Sequence, residues 1–334
     1  MKFRIAFAVL LGLASLTALV GLRPAGSLFG QSMESITLST PNSILSSLLF
    51  IAIREGYFER AGLRIQVMPT STGLEAIGMA LSGRTDIAVA ASVPISNAIL
   101  NDADPHIVAT IAKSDRDLVV VANRKHGIRE LADLRGKKVA VKAGTSFAFY
   151  LDAALIDAGL TPSDVQLVDL PPDAAAKALA EERVDAAVLG APSSADAIRA
   201  LGSSAVSLAP PLYTIHWNLV ASDRFMKERS ATIEKMLDAL LDAEDFARRH
   251  PERAITVAAD WLHSPRDSVA VRWNDYLFRI QLSQSLIVAM EDEARWALAR
   301  RTSQSPAIPT PDFLTYLEAG PLSQVRPEAV RITR

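Results

Sequence analysis

The sequence predicts an α/β protein of two similar lobes, each a mainly parallel sheet flanked by helices, followed by extra C-terminal helices. Three observations predict it. Short continuous apolar runs alternate with stretches of helical period between residues 35 and 221, the pattern of parallel strands covered on both faces. One passage echoes another: residues 80–88 (ALSGRTDIA) resemble residues 178–186 (ALAEERVDA), and similar text implies similar units. Beyond Pro210-Pro211 the alternation gives way to long helical segments.

Residues 1–30 stand apart from this pattern. Lys2 and Arg4 precede an apolar run over 5–22, then Arg23-Pro24 and small residues, the layout of a secretory signal or of a retained signal anchor. In either case the body of the chain is expected in the periplasm or otherwise outside the cytoplasm. Residues 35–39 alternate as a strand, 40–43 form a turn and cap, and 44–60 carry apolar residues at helical spacing up to Ala61-Gly62. A second strand follows over 64–68. Ser71-Thr72-Gly73 then opens a helix over 74–81, and a third strand over 86–91 ends in a turn over 91–94.

Residues 118–121 make a further strand, and the stretch 131–160 starts a second run of the same kind. Within it 137–141 is a β-branched strand, Ala143-Gly144 a tight turn, and Thr145 and Ser146 stand where a helix N-cap belongs. Phe147, Tyr150, Leu151, Ala154 and Leu155 then recur at helical spacing until Gly159. Segments 165–168, 173–181, 184–189, 194–201 and 206–208 continue strand, helix, strand, helix, strand. Residues 214–221 read as one more strand. Segments 228–249, 251–262, 265–278 and 286–300 read as helices, with Pro251 and Pro265 suiting first-turn positions. The prolines from Ser303 onward indicate an extended wrap with one short helix over 313–317.

Composition excludes several classes. A chain of 334 residues has room for two cores, and 22% charged residues with 6% aromatics is ordinary globular usage. The formal charge is −2, and removal of 1–30 with Lys2, Arg4 and Arg23 takes it to −5, so nucleic acid is not an expected partner. With no cysteine there is no disulfide, thiolate metal site or thiol nucleophile. His106, His126, His216, His250 and His263 lack metal-ligand spacing, and phosphate-loop, dinucleotide and serine-hydrolase motifs are absent in useful context. No metal, cofactor or catalytic residue is called for.

In a parallel α/β sheet, ligands sit beyond the carboxyl ends of the strands. The turns there supply Thr40, Asn42, Ser71, Thr72, Ser92, Thr145 and Ser146 as candidate polar contacts, with Val93, Ala191 and Pro192 as candidate wall. Thr145 and Ser146 have a second reading as caps of their own helix. A helix N-terminus opened by hydroxyls suits a single negative charge, but no Arg or Lys falls in these turns; Lys142 and Arg116 are the nearest in sequence. The expected ligand is therefore a neutral or singly charged organic solute, such as a sulfonate, a carboxylate or a pyrimidine-like heterocycle, ahead of nitrate, sulfate or phosphate.

Four passages carry a resemblance to a known family: EGYFERAGLRI over 55–65, ALSGRTDIAVAASVP over 80–94, LADLRGKKVAVKAGTS over 131–146 and RVDAAVLGAPSSADA over 183–197. Together with Trp273-Asn274-Asp275-Tyr276, Met290 to Ala294 with Trp296, and Pro311-Asp312-Phe313, they resemble the periplasmic substrate-binding proteins of ABC importers, in the branch serving nitrate, taurine, sulfonates and thiamine-pyrimidine precursors. The resemblance implies the two-lobed type II periplasmic-binding fold, with chain crossings near 121–124 and 215–220. Trp217 joins the candidate wall because the resemblance implies a chain crossing at that point, and His216 is of interest only because it adjoins Trp217. Lobe one would hold 34–120 plus 219–334, and lobe two 121–218. It implies a monomer that closes a hinge over a small molecule and delivers it to a membrane permease with its ATPase, without catalysis. Similar lobes also occur in thiamine-pyrimidine synthases, an enzyme alternative whose cysteine-rich motif this chain lacks, and a ligand-sensing lobe for a separate signalling partner is a further one. The chain departs from the family where Glu182 replaces the usual glycine before Val-Asp-Ala, and in the small apolar turn Gly190-Ala191-Pro192.

Overall fold

The computed structural model describes residues 33–300 and 309–333, so the signal-like segment and the first part of the proline-rich tail lie outside the described residues. Its strands are β1 (Glu34–Pro41), β2 (Leu63–Thr70), β3 (Ile87–Ala91), β4 (His106–Ser114), β5 (Val119–Asn123), β6 (Lys138–Val141), β7 (Gln166–Asp169), β8 (Ala186–Leu189), β9 (Ala205–Leu208), β10 (Ile215–Ala221), β11 (Leu277–Ser283) and β12 (Val330–Arg331). The α-helices are α1 (Ser47–Arg54), α2 (Tyr57–Arg60), α3 (Gly73–Leu81), α4 (Ser92–Ile99), α5 (Ser146–Asp157), α6 (Pro172–Ala180), α7 (Ser193–Leu201), α8 (Asp223–Arg249), α9 (Pro251–Trp261), α10 (Arg266–Ala270), α11 (Gln284–Ala299) and α12 (Ala319–Val325).

Two sheets result. The larger has the order β12-β11-β4-β10-β3-β1-β2 and the smaller β7-β6-β8-β5-β9. Continuous apolar text forms fully buried strand, as in β3 and β8, because helices cover both faces. The smaller sheet accordingly has a separate apolar cluster on each face, one under α5 and one under α6 and α7.

The sheets are mixed, whereas the sequence pattern predicts mainly parallel ones. β1 runs parallel to β2 and β3, and β6 to β7 and β8. The strands nearest the crossings pair antiparallel: β10 with β3 and β4, β5 with β8 and β9. The cause is topological, since a strand arriving from the other sheet enters from the opposite end. The crossings themselves fall between β4 and β5 and between β9 and β10, several residues before the expected 121–124 and 215–220, which lie in or beside β5 and inside β10. Residues 215–218, expected in lobe two, thus belong to the larger sheet.

Three strands of the larger sheet, β4, β11 and the two-residue β12 in the tail, are not among those read from the sequence. β4 carries the β-branched residues Ile107, Val108, Thr110 and Ile111, a strand signal that the expected pattern omits. β11 begins inside a segment whose pattern predicts helix, although Phe278, Ile280 and Leu282 alternate with Leu277 and Arg279. Pro251 does stand at the first helical position of α9, whereas Pro265 is the N-cap of α10.

The internal echo has a structural counterpart. Asp86, just before β3, accepts from the Thr37 amide on β1 at 2.9 Å, and its own amide donates to the Thr37 carbonyl at 3.0 Å. Asp185, just before β8, accepts from the Lys138 amide on β6 at 2.8 Å, and its amide donates to the Lys138 carbonyl at 2.9 Å. Each half therefore fixes its central parallel pair with one aspartate. The preceding helix in each half ends through a left-handed residue, Gly83 at φ 71° and Glu182 at φ 55°.

Candidate ligand-binding cleft

The carboxyl ends of β1, β2 and β3 face those of β6 and β8 across a cleft of about 490 Å³. Its lining alternates between the two sheets: Asn42, Ser71 and Thr72 from one side, Thr145, Ser146, Ala191 and Pro192 from the other, with Trp217 of β10 between them. These eight are residues that the sequence singles out. Thr40, Ser92 and Val93 are not in the lining.

Their absence has a local cause. α4 begins directly after Ala91, so the expected turn over 91–94 is its first turn, and Ala91 and Pro94 take the wall in place of Ser92 and Val93. Thr40 lies one layer back, its hydroxyl 2.9 Å from that of Ser46, which accepts from the Trp217 indole N–H at 2.9 Å. Thr40 and Ser46 thereby orient the Trp217 ring without reaching the ligand space. His216, on the other face of the strand, contacts the Thr214 carbonyl and the Ser285 hydroxyl, and burial lowers it to about 4.

At the head of α5 the hydroxyls are not caps. Gly144 takes φ 72°, a conformation that side chains resist, and so turns the chain from β6 into the helix. Thr145 occupies the N-cap position but donates its hydroxyl backward to the Lys142 carbonyl at 2.7 Å. Ser146 lies 3.3 Å from the Tyr213 hydroxyl. Lys142, the nearest cation in sequence, is paired with Asp169 at 2.8 Å and does not line the cleft, nor does Arg116.

By contrast α3 has its own complement. Thr72, its N-cap, accepts from the Glu75 amide at 3.2 Å, and the Glu75 carboxylate accepts from the Ser71 amide, one residue before the cap, at 2.9 Å.

Several residues of the region are not among the candidates that the sequence singles out. Phe147, Asp117, Glu75, Asp173 and Asp196 all line the cleft. Behind it, Glu293 of α11 is buried and accepts from Ser92 at 2.5 Å, Ser96 at 3.0 Å and Tyr213 at 2.9 Å. Burial lifts its carboxyl to about 7 despite those donors. Tyr213 sits in the return crossing, so this knot joins α11, α4, the crossing and the head of α5. A second tie runs from α11 to α5, where the Trp296 indole donates to Asp152 at 2.8 Å and Arg300 pairs with the same carboxylate. The acid at 117, standing directly before an unbroken apolar strand, and Glu293, at helical spacing from Leu286 and Met290, have sequence contexts that could mark them.

Away from the cleft, Asp104, His106 and Asp223 come within metal-ligand spacing, but His106 already contacts Glu318 at 2.7 Å and Asp223 at 3.3 Å.

Two mixed sheets joined by paired crossings, with a cleft where their strand ends meet, define the periplasmic-binding-protein class of fold. Within that class the chain belongs to the NMT1/THI5-like family, which matches residues 45–254. A binding protein of Brucella abortus (strain 2308) is 27% identical over 225 residues, covering 65% of this chain and 68% of that one. A protein of Escherichia coli (strain K12), named as an aliphatic sulfonates-binding protein, is 26% identical over 197 residues, 59% of this chain and 61% of that one. Among solved structures, the alkanesulfonate-binding protein SsuA from Xanthomonas axonopodis pv. citri, bound to MOPS, is similar at a TM-score of 0.73 and 20% identity over 86% of this chain and 98% of that one.

Proposed function

We propose that this protein is an extracytoplasmic solute-binding protein that captures a small organic molecule between its two sheets and delivers it to an ABC permease and its ATPase. The observation that carries the reading is the cleft: its size suits one small molecule, and turns from both sheets line it. Two crossings with a cleft at their edge are the arrangement in which hinge rotation closes over a ligand. The lobes that would move are residues 34–114 with 215–334, and residues 119–208, joined by the two crossings. Residues 1–30 act in this reading as export signal or anchor, and the protein works as a monomer. Among the described residues no helix is long and apolar enough to cross a membrane.

A binding role rather than a catalytic one is supported by the relatives named as binding proteins, and the chain lacks the cysteine-rich motif of the synthase alternative. The test is thermal unfolding of the purified protein across a panel of small organic solutes. A cognate solute at a hundredfold excess over its Kd adds about 2.7 kcal/mol of stability. Turnover of that solute by the protein alone would refute the binding role.

A further inference from the structure

Asp117 stands in the crossing from β4 to β5 and is 4% exposed. Its Oδ1 accepts from the Tyr276 hydroxyl at 2.6 Å and the Ala191 amide at 3.5 Å, while Oδ2 meets no donor. No side-chain polar atom of the described residues is both sealed from solvent and without a partner, so Oδ2 opens onto the cleft that Asp117 lines. A Cβ built on Gly190 would lie 2.8 Å from that oxygen and 3.6 Å from the Phe147 ring. Gly190 therefore packs against that oxygen with no room for a side chain, and the Phe147 ring lies beside the same spot.

The rest of the lining adds acids and no Lys or Arg. Glu75, Asp173 and Asp196 each lie in the first turn of a helix whose head lines the cleft, α3, α6 and α7. Those carboxylates already complement the positive ends of α3, α6 and α7, whereas the head of α5 has no acid in its first turn. Arg272, whose field reaches Asp117, commits its guanidinium to Asp275 at 2.6 Å and to the Arg116 carbonyl. An anionic ligand would enter beside a buried carboxylate with no cation in the lining, whereas a cation would supply the partner that Oδ2 lacks.

From this arrangement we propose that the cleft selects an organic ammonium or amidinium solute, its N–H donors seated on Asp117 Oδ2 and its hydrocarbon part against Phe147 and Trp217. The proposal rests on the solute-binding reading above and narrows it to one charge class. Burial raises the Asp117 carboxyl above its ordinary value, and a seated cation would oppose that shift by favouring the charged form.

Calorimetric titration of the purified protein with benzylamine and benzamidine, against toluenesulfonate and benzoate of similar size, tests it. The cations should bind and the anions should not. Asp117→Asn keeps an acceptor for Tyr276 and should weaken the cations roughly tenfold or more. Gly190→Ala keeps the charge but sets a methyl against Oδ2, and should weaken them too. Cations that bind both variants as well as wild type overturn the assignment. Binding of toluenesulfonate or benzoate alone overturns the charge class and leaves the solute-binding reading standing; no binding by either class counts against both.

Discussion

Glu293→Gln isolates the pH dependence of the buried knot behind the cleft. In the folded chain, burial lifts this carboxyl from its ordinary 4.5 to about 7. The fold holds a proton that the unfolded chain releases between those values, so stability is greatest at the acid end and falls as pH rises through the window. One pH unit corresponds to about 1.4 kcal/mol, so the span from 4.5 to about 7 amounts to roughly 3 kcal/mol. His216 acts in the opposite sense: burial lowers it from 6.5 to about 4, and its contribution is lost as pH falls through that range. The wild-type curve mixes both, and only the difference between wild type and variant reports Glu293. Urea unfolding in a pH series measures it. Glu293→Gln should gain on wild type by roughly 2 to 3 kcal/mol between about pH 5 and pH 8. A difference that does not change with pH would show that Glu293 stays ionised in the knot and would refute the reasoning.

Trp217→Ala removes a buried ring and leaves the Ser46 hydroxyl without its donor, and should cost about 3 kcal/mol in denaturant unfolding. Trp217→Phe should lose less stability while still lowering affinity for an aromatic solute. Glu182→Gly relieves a left-handed φ of 55°, a gain of about 1 kcal/mol that exceeds the exposed Lys125 pair it gives up, so the melting temperature should rise. Asp86→Ala deletes the acceptor for both the Thr37 amide and its hydroxyl and should lower stability by about 2 kcal/mol, with solute affinity measured by calorimetry unchanged.

Local signals make much of this molecule legible. Glycine turns, hydroxyls at helix heads and unbroken apolar strands are enough to place Asn42, Ser71, Thr72, Thr145 and Ser146 on one edge, and the cleft gathers them with Trp217, which the family resemblance rather than any local signal singles out. What stays hidden depends on contacts distant in sequence. The Ser92 hydroxyl is claimed by Glu293, some two hundred residues on, and Asp117 owes its burial to Tyr276 and to the turn at Ala191. Glu293 does fall on the apolar stripe of its helix, at helical spacing from Leu286 and Met290, and Asp117 stands directly before an apolar strand, but the partners that hold each acid in the interior lie far away in sequence. β11 is obscured for a different reason: its alternation is present, but helical text on either side outweighs it.

The paired aspartates have a consequence for how such a chain can change. Asp86 and Asp185 fix strand register at the ends where β3 and β8 begin, whereas the cleft turns lie at the ends where those strands stop. Stability and selectivity are thus written at opposite rims of each sheet, with the full strand length between them. Exposed turn residues such as Ser71 can exchange for others without loosening the frame that holds them, and the acidic lining can be rewritten for a differently charged molecule while the two register locks stay as they are.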